Sequence, residues 1–158
     1  MTPLSKNFSL EEFTASATAE KKDIDNSIKD FHIREALDAL VDNVLQPLRD
    51  GWGKPLNVNS GYRCDKLNKA VGGVPTSQHC KGEAADILCD TPVELAEKAI
   101  ELKLPYDQMI VYPTFVHFSH KRSGVQRRQL LYNKSYTGRK VGEKEEKKAS
   151  TKKKNAKK

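Results

Sequence analysis

The sequence lacks long apolar runs and has few cysteines and few aromatic residues. No stretch approaches the roughly 18 consecutive apolar residues that a membrane-spanning helix needs. The first 30 residues contain several acids and no continuous apolar segment, so we predict no signal peptide and expect synthesis in the cytoplasm. An odd number of cysteines without an export signal favours reduced thiols over a disulfide framework at Cys64, Cys80 and Cys89.

Charge is unevenly distributed along the 158 residues. Residues 139–158 contain 10 Lys or Arg and three Glu, which accounts for the whole net charge of +7, whereas residues 1–138 hold 18 groups of each sign. The last twenty residues contain too few apolar side chains to bury a core, so we predict one domain over 1–138 and a disordered basic tail over 139–158. Such a tail either solubilises the protein or contacts a polyanion weakly.

Hydrophobic spacing predicts an α+β fold. A helix is predicted over residues 31–46, ended or kinked at Pro47, and a second one from an N-cap at Thr91 to about Leu102. Residues 15–30 show no periodicity and are interpreted as a surface loop. Short strands are predicted at residues 56–59, 83–88, 108–112, 115–119 and 129–132. We therefore expect a small antiparallel sheet with flanking helices.

Three residues have the chemistry of metal ligands: His79, Asp86 and His117. A catalytic zinc site takes three nitrogen or oxygen ligands from the protein and keeps a fourth position open. Asp86 follows several small residues, which let the backbone pass close to a bulky site. Spacing alone leaves a second interpretation open, in which each histidine is a buried, hydrogen-bonded residue and the aspartate caps a turn.

The same residues belong to a longer pattern, Ser77-x-His79-x-x-Gly82-x-Ala84-x-Asp86, with further matching segments at residues 60–63 and 116–119. This pattern resembles the zinc D-Ala-D-Ala carboxypeptidases and endopeptidases of the M15 family. Residues 7–13 and 44–49 are similar to the C-terminal subfamily of phage and bacterial M15 peptidases. The resemblance covers about residues 7–132. Hedgehog signalling domains share this fold and zinc triad, so the resemblance implies a hedgehog-like, DD-peptidase-like zinc fold.

The resemblance also implies residue roles. His79, Asp86 and His117 would hold one zinc ion per chain, Arg63 would lie near the terminal carboxylate or backbone of the substrate, and Ser77 would bind substrate or steady the His79 loop. The implied protein is a monomeric metallopeptidase, a DD-carboxypeptidase or an endopeptidase (endolysin), that acts on D-alanine-containing peptidoglycan stem peptides of the cell wall. Its reaction would be metal-assisted hydrolysis with a general base. Host and phage origin both remain open.

The general base is where the sequence departs from the family. Relatives carry a carboxylate at the position of Tyr112, and a tyrosine, with an ordinary pKa near 10, is a poor base but a possible hydrogen-bond donor. Asp107 and His120 are the other candidates. The alternatives are a slow enzyme, an enzyme with a relocated base, a zinc-bearing peptidoglycan binder, and a nucleic-acid binder that acts through the tail. A basic cluster, defined as Lys121, Arg122, Arg127 and Arg128, either lines a groove or is solvated surface.

Overall fold

The computed structural model describes residues 1–143. Within them, the α-helices are α1 (Leu10–Thr14), α2 (Ala17–Lys21), α3 (Phe31–Leu40), α4 (Gln46–Trp52), α5 (Asp65–Ala70) and α6 (Pro92–Glu101). The strands are β1 (Asn57–Ser60), β2 (Ala84–Leu88), β3 (Gln108–Val111), β4 (Phe115–Ser119) and β5 (Gln129–Tyr132). Val41–Leu45 is a π-helical turn, and Gln78–Lys81 is a 3-10 helix. The predicted α+β class is confirmed.

The five strands form one sheet in the order β1-β2-β4-β3-β5. The pairs β1–β2, β2–β4 and β3–β4 are antiparallel, as predicted, but β5 runs parallel to β3. The sheet is therefore mixed. The reason is that the chain leaves β4 through the loop of residues 120–128, passes β3 and joins its far edge, where it runs in the same direction as β3.

The core lies between one face of this sheet and the helices α3, α4 and α6. Its side chains alternate along the strands, as in Met109 and Val111 of β3, which are fully buried while their neighbours are half-buried. The opposite face carries Asp86, which lies opposite His117 in β4, and Ile110, which also lies opposite His117. The candidate site lies on this half-open face.

Two local predictions need correction. The helix that begins at Phe31 does not end at Pro47, because the π-helical turn precedes the proline and places it in the first turn of α4, where a missing N–H is tolerated. The helical backbone continues to Trp52 and ends at Gly53, which has a φ of 76°. The segment 15–30 contains the short helix α2, because Ser16 Oγ accepts a hydrogen bond from Ala19 N–H at 3.1 Å.

Residues that follow position 138 contact the rest of the domain. Arg139 Nη1 lies 2.8 Å from Glu97 Oε2 of α6, and the backbone N–H of Gly142 donates to the same carboxylate at 2.9 Å. Val141 N–H donates to the hydroxyl of Tyr132 at 2.9 Å. The remainder of the predicted disordered tail, residues 144–158, lies outside the described residues. Within residues 1–143, no helix has the length and apolar character to cross a membrane.

Candidate metal centre and its cleft

His79, Asp86 and His117 meet on the half-open face of the sheet. Asp86 Oδ1 lies 3.3 Å from His79 Nε2 and 3.0 Å from His117 Nδ1. One nitrogen of each histidine and one oxygen of the aspartate all lie within 4.8 Å of one another. His79 is buried, and the other two side chains are half-buried. The structure thus brings together the three residues that the sequence singled out as potential ligands.

Sheet register and one tight turn produce this meeting. Asp86 and His117 are directly opposite in the antiparallel pair β2–β4, so their side chains project from the same face. His79 comes from the 3-10 helix, whose first residues are capped by Ser77 Oγ, which accepts from His79 N–H at 3.1 Å. Gly82 ends that helix with a φ of 74°, and a Cβ there would lie 2.5 Å from the carbonyl oxygen of Ile33. Glycine is therefore required where the chain turns from His79 into β2.

A backbone carbonyl fixes the orientation of the His79 ring. His79 Nδ1 lies 2.7 Å from the carbonyl oxygen of Gly61. Because a carbonyl only accepts, Nδ1 carries a hydrogen, and Nε2 is the ring nitrogen that faces Asp86. Metal-binding histidines in proteins commonly have such a partner on the second ring nitrogen.

The carboxylate of Asp86 stays ionised. Burial by itself favours the neutral acid, but the hydrogen bonds and positive charge of His117 and His79 outweigh it, so the pKa of Asp86 lies well below its usual range. Two imidazole nitrogens and one carboxylate oxygen therefore face a common point. This donor set can hold a metal ion.

A cleft of about 390 Å³ opens over the three side chains. Its lining consists of Arg63, Val74, Thr76, Ser77, Gln78, His79, Asp86, Gln108, Ile110, Tyr112, His117 and Arg127. Asp86 is the one acidic residue in that lining, whereas two arginines contribute to it. The cleft therefore suits a ligand that carries negative charge.

Arg63 and Ser77 lie together in this cleft. Arg63 Nη2 lies 3.4 Å from Ser77 Oγ, and the backbone N–H of Arg63 donates to the carbonyl of His79 at 3.2 Å. Arg63 Nε is buried without a hydrogen-bond partner among the described residues. A buried donor without a partner is costly, so this guanidinium is suited to bind an incoming acceptor.

Tyr112 is the one of the three base candidates that lines the cleft. Its ring stacks on Phe115, with centroids 4.1 Å apart and planes at 14°. Burial raises the pKa of Tyr112 above its ordinary value, and the negative charge of Asp86 adds to this shift. The phenol is protonated at neutral pH, so it can donate a hydrogen bond but cannot act as a base there.

Asp107 and His120 lie outside the lining of the cleft. Asp107 is fully buried and forms an ion pair with Arg127, whose Nη2 is 2.7 Å from Oδ2. Burial opposes its ionisation, but the hydrogen bonds from Arg127 outweigh that effect and lower the pKa of Asp107. His120, which directly follows β4, is buried, and its backbone N–H donates to the carbonyl of Glu83 at 2.9 Å. Burial lowers the pKa of His120.

Gln78 and Arg127 both line the cleft, although the sequence predicted no role for Gln78 and no partner for Arg127. They meet at Asp107, because Gln78 Nε2 also donates to Asp107 Oδ2 at 3.2 Å. The basic cluster was the one sequence signal for Arg127. It could not separate Arg127 from Arg122, which instead pairs with Glu35 at 3.1 Å.

Comparison with known proteins identifies the family of this chain. A family model described as Peptidase M15 matches residues 6–120, which include His79, Asp86 and His117 as well as Arg63. A search of curated proteins found no match. The match covers well over half of the chain and both sheet strands that carry the histidine and aspartate pair. The chain belongs to the Peptidase M15 family.

Proposed function

We propose that this protein is a zinc-dependent peptidase that hydrolyses D-alanine-containing peptides of peptidoglycan. The observation that carries the proposal is the convergence of His79, Asp86 and His117 at the base of a cleft that also contains Arg63. Membership of the Peptidase M15 family supports the peptidase chemistry. The D-alanine substrate is proposed from the fit between an arginine and a terminal carboxylate.

The donor set fits zinc. Zinc bonds of 2.0–2.2 Å in a tetrahedral arrangement separate neighbouring ligand atoms by about 3.4 Å. The separations of 3.3 Å and 3.0 Å between Asp86 Oδ1 and the two histidine nitrogens are close to this value. His79 Nε2, His117 Nδ1 and an Asp86 oxygen would supply three ligands and leave a fourth position facing the cleft. When bound, zinc supplies Lewis-acid chemistry, which polarises a peptide carbonyl and lowers the pKa of a water molecule.

Arg63 and Ser77 would bind and orient the substrate. A guanidinium matches a carboxylate with two parallel hydrogen bonds, so Arg63 suits the free carboxylate of a C-terminal D-alanine. Ser77 Oγ, which lies 3.4 Å from Arg63 Nη2, provides a further hydrogen bond on the same wall. Together they place the last peptide bond over the three ligands.

Tyr112 would act on the carbonyl rather than on the attacking water. Its phenol is protonated, so it donates a hydrogen bond to the carbonyl oxygen as negative charge develops there. Among residues 1–143, Asp86 is the sole carboxylate that lines the cleft, and it is assigned to the metal. No other carboxylate of the described cleft is placed to take a proton, which predicts slow hydrolysis.

The lack of a second carboxylate in the described cleft lining also favours another candidate function, a zinc-bearing relative that binds peptidoglycan peptides with impaired catalysis. In that case His79, Asp86 and His117 would hold zinc for structure or for binding, and Arg63 would still capture the peptide carboxylate. Action on the cell wall, in either case, requires that the protein reach the wall by export or by release on lysis. This candidate and the first one differ in turnover alone.

Metal analysis of the purified protein, combined with muropeptide digestion read by mass spectrometry, tests the proposal. We expect about one zinc per chain and slow release of D-alanine or of cleaved cross-links, both absent in the His79→Ala variant. Zinc without any hydrolysis would select the binding candidate. A protein without stoichiometric zinc under metal-replete conditions would overturn both.

A further inference from the structure

Arg63 and Arg127 both line the cleft, but they adjoin opposite edges of the sheet, because Arg63 follows β1 and Arg127 precedes β5. We propose that Arg127 is a second anion-binding point, which selects peptides with a carboxylate on the N-terminal side of the scissile bond, about three residues away from it. This inference rests on the proposed function and adds the substrate class, an acidic peptide. Arg127 lies outside residues 6–120, which the family model matches.

The guanidinium of Arg127 is held in one orientation. The fully buried carboxylate of Asp107 accepts from Arg127 Nη2 at 2.7 Å and from Nε at 3.1 and 3.2 Å. The backbone N–H of Arg127 donates to the same group at 2.8 Å, and Gln78 Nε2 does so at 3.2 Å. A side chain fixed from one edge loses little further conformational entropy when it binds a ligand.

The other edge of Arg127 is available. The side chain is 47% exposed and lines the cleft, and Nη1 has no hydrogen-bond partner among residues 1–143. The remaining arginines of the basic cluster are engaged elsewhere. Arg122 pairs with Glu35, and Arg128 Nη1 donates to the carbonyl of Leu104 at 3.3 Å. Within the described chain, Arg127 is the one member of the cluster that faces the cleft.

Strand order sets the distance between the two arginines and the metal ligands. Arg63 follows β1 and Arg127 precedes β5, while Asp86 and His117 lie on β2 and β4 between them. Neighbouring strands are about 4.8 Å apart, so two strand spacings, about 10 Å, separate β4 from β5. An extended peptide covers that distance in about three residues, at about 3.3 Å per residue.

The direction of the peptide follows from Arg63. If Arg63 holds the C-terminal carboxylate, the peptide must run from Arg63 over the ligands towards Arg127, so Arg127 reads the N-terminal side. Gln108, which lines the cleft between them, donates to Gln129 Oε1 at 2.8 Å and forms a polar floor. A carboxylate at Arg127 would meet the Nη1 edge of the guanidinium, because the opposite edge is already paired with Asp107.

Binding of two matched pentapeptides tests the proposal. Both end in D-Ala-D-Ala, and their second residue is Glu in one and Gln in the other, which places the side chain three residues before the scissile bond. Titration calorimetry at constant ionic strength, with zinc-loaded protein, gives a Kd for each peptide. We expect the wild type to bind the Glu peptide about 10-fold more tightly, the typical effect of one charge-assisted hydrogen bond.

Three variants isolate Arg127. In Arg127→Gln the preference should fall to near unity, in Arg127→Lys part of it should remain, and in Arg122→Gln, which removes the same charge from the same loop, it should be unchanged. A ratio of two Kd values does not move with a general loss of stability, which thermal melts monitor separately. A preference that persists in Arg127→Gln, or that is absent from the wild type, would overturn the proposal.

Binding and hydrolysis, measured on the same two peptides, distinguish this inference from the proposed function. A Glu preference that depends on Arg127, found without any hydrolysis of either peptide, would support this inference and count against the proposed peptidase activity alone. Failure of both peptides to bind the wild type would overturn the inference and the peptide-binding function together. Hydrolysis of both peptides at equal kcat/KM, with equal Kd, would overturn the inference and leave the peptidase activity standing.

Discussion

The Nδ1 atom of His79 lies 2.7 Å from the carbonyl oxygen of Gly61, a residue 18 positions earlier in the chain. Gly61 itself packs against backbone, since a Cβ there would lie 2.6 Å from the carbonyl oxygen and 2.7 Å from the Cα of Phe13. The α1 segment, the end of β1 and the His79 turn are therefore in contact through one residue without a side chain. The position of this carbonyl fixes which nitrogen of His79 is available to a metal.

The first prediction is that Gly61→Ala lowers zinc affinity. The new methyl group forces the backbone away from Phe13 and displaces the carbonyl that orients His79. Loss of such a partner typically lowers metal affinity about 10–100-fold. Competition with a zinc chelator measures it. Gly124→Ala is the control for backbone strain outside the cleft lining, because its φ of 92° disfavours alanine although a Cβ there meets nothing within 4 Å. Equal zinc affinity in both variants would contradict the account.

The second prediction concerns the ligands themselves. His79→Ala and Asp86→Ala should each abolish stoichiometric zinc binding, because a site left with two protein ligands cannot complete the three-ligand set of a catalytic zinc. Metal content of the purified proteins measures this directly. His32→Ala, at an exposed position of α3, should keep about one zinc per chain. Full zinc retention in both ligand variants would remove the assignment.

The third prediction concerns Tyr112. We expect weak hydrolysis in the wild type and a marked gain in Tyr112→Glu, because a general base typically contributes about 10²–10⁴-fold to the rate. The assay follows a D-alanine-containing muropeptide with zinc content matched between the proteins. Tyr112→Gln, which has nearly the shape of the glutamate without its charge, is the control.

Two outcomes would contradict this view of Tyr112. If Tyr112→Gln gains as much rate as Tyr112→Glu, the gain comes from space and not from a base. If the wild type is fast and slows on replacement of Asp107 or His120, the base lies at one of those residues, although both are outside the cleft lining.

The fourth prediction is a pH dependence of stability that originates at Asp107. The lowered pKa of this carboxyl means that its ion pair with Arg127 stabilises the fold above the ordinary aspartate value of 3.8 and is lost as the pH falls below it. At pH 7, Asp107→Asn should cost about 1–3 kcal/mol. The difference between variant and wild type should shrink as the pH is lowered from 5 to 3. Urea titrations across this range measure it, and a constant difference would contradict the assignment.

The fifth prediction is that two truncations of the chain differ in stability. Ending the chain after Glu143 should leave the melting temperature unchanged, because the sequence beyond it is too poor in apolar residues to bury a core. Ending it after Gly138 removes the half-buried pair of Arg139 with Glu97 and should cost about 1–3 kcal/mol. At about 2–4 °C per kcal/mol for a domain of this size, calorimetry resolves the difference. Identical melting temperatures would show that residues 139–143 contribute nothing.

Local patterns were sufficient to predict much of the fold. The apolar spacing of α3 and the strand predicted at residues 115–119 each depend on a few consecutive residues, and both are found in the structure. The parallel placement of β5 could not be predicted, because its alternating pattern is the same for either direction of pairing. The continuation of the helix past Pro47 depends on a π-helical turn that has no sequence signature.

The candidate site, too, could be predicted from the sequence only in part. The signature that contains His79 and Asp86 is contiguous, so the sequence could identify it. The pairing of Asp107 with Arg127 joins residues 20 positions apart through a loop without periodicity, so Asp107 remained a base candidate until its partner was visible. Which arginine of a basic cluster faces a cleft depends on the backbone of that loop, and charge counts carry no such information.

Residues 121–132 perform two tasks at once. They place Arg127 at the cleft, and they supply β5, which covers the outer edge of β3 and so removes a row of unpaired backbone groups. Both tasks depend on the same short loop and strand. Exchange of this segment between relatives would therefore change ligand selection and resistance to aggregation together, so that selection on one property is constrained by the other.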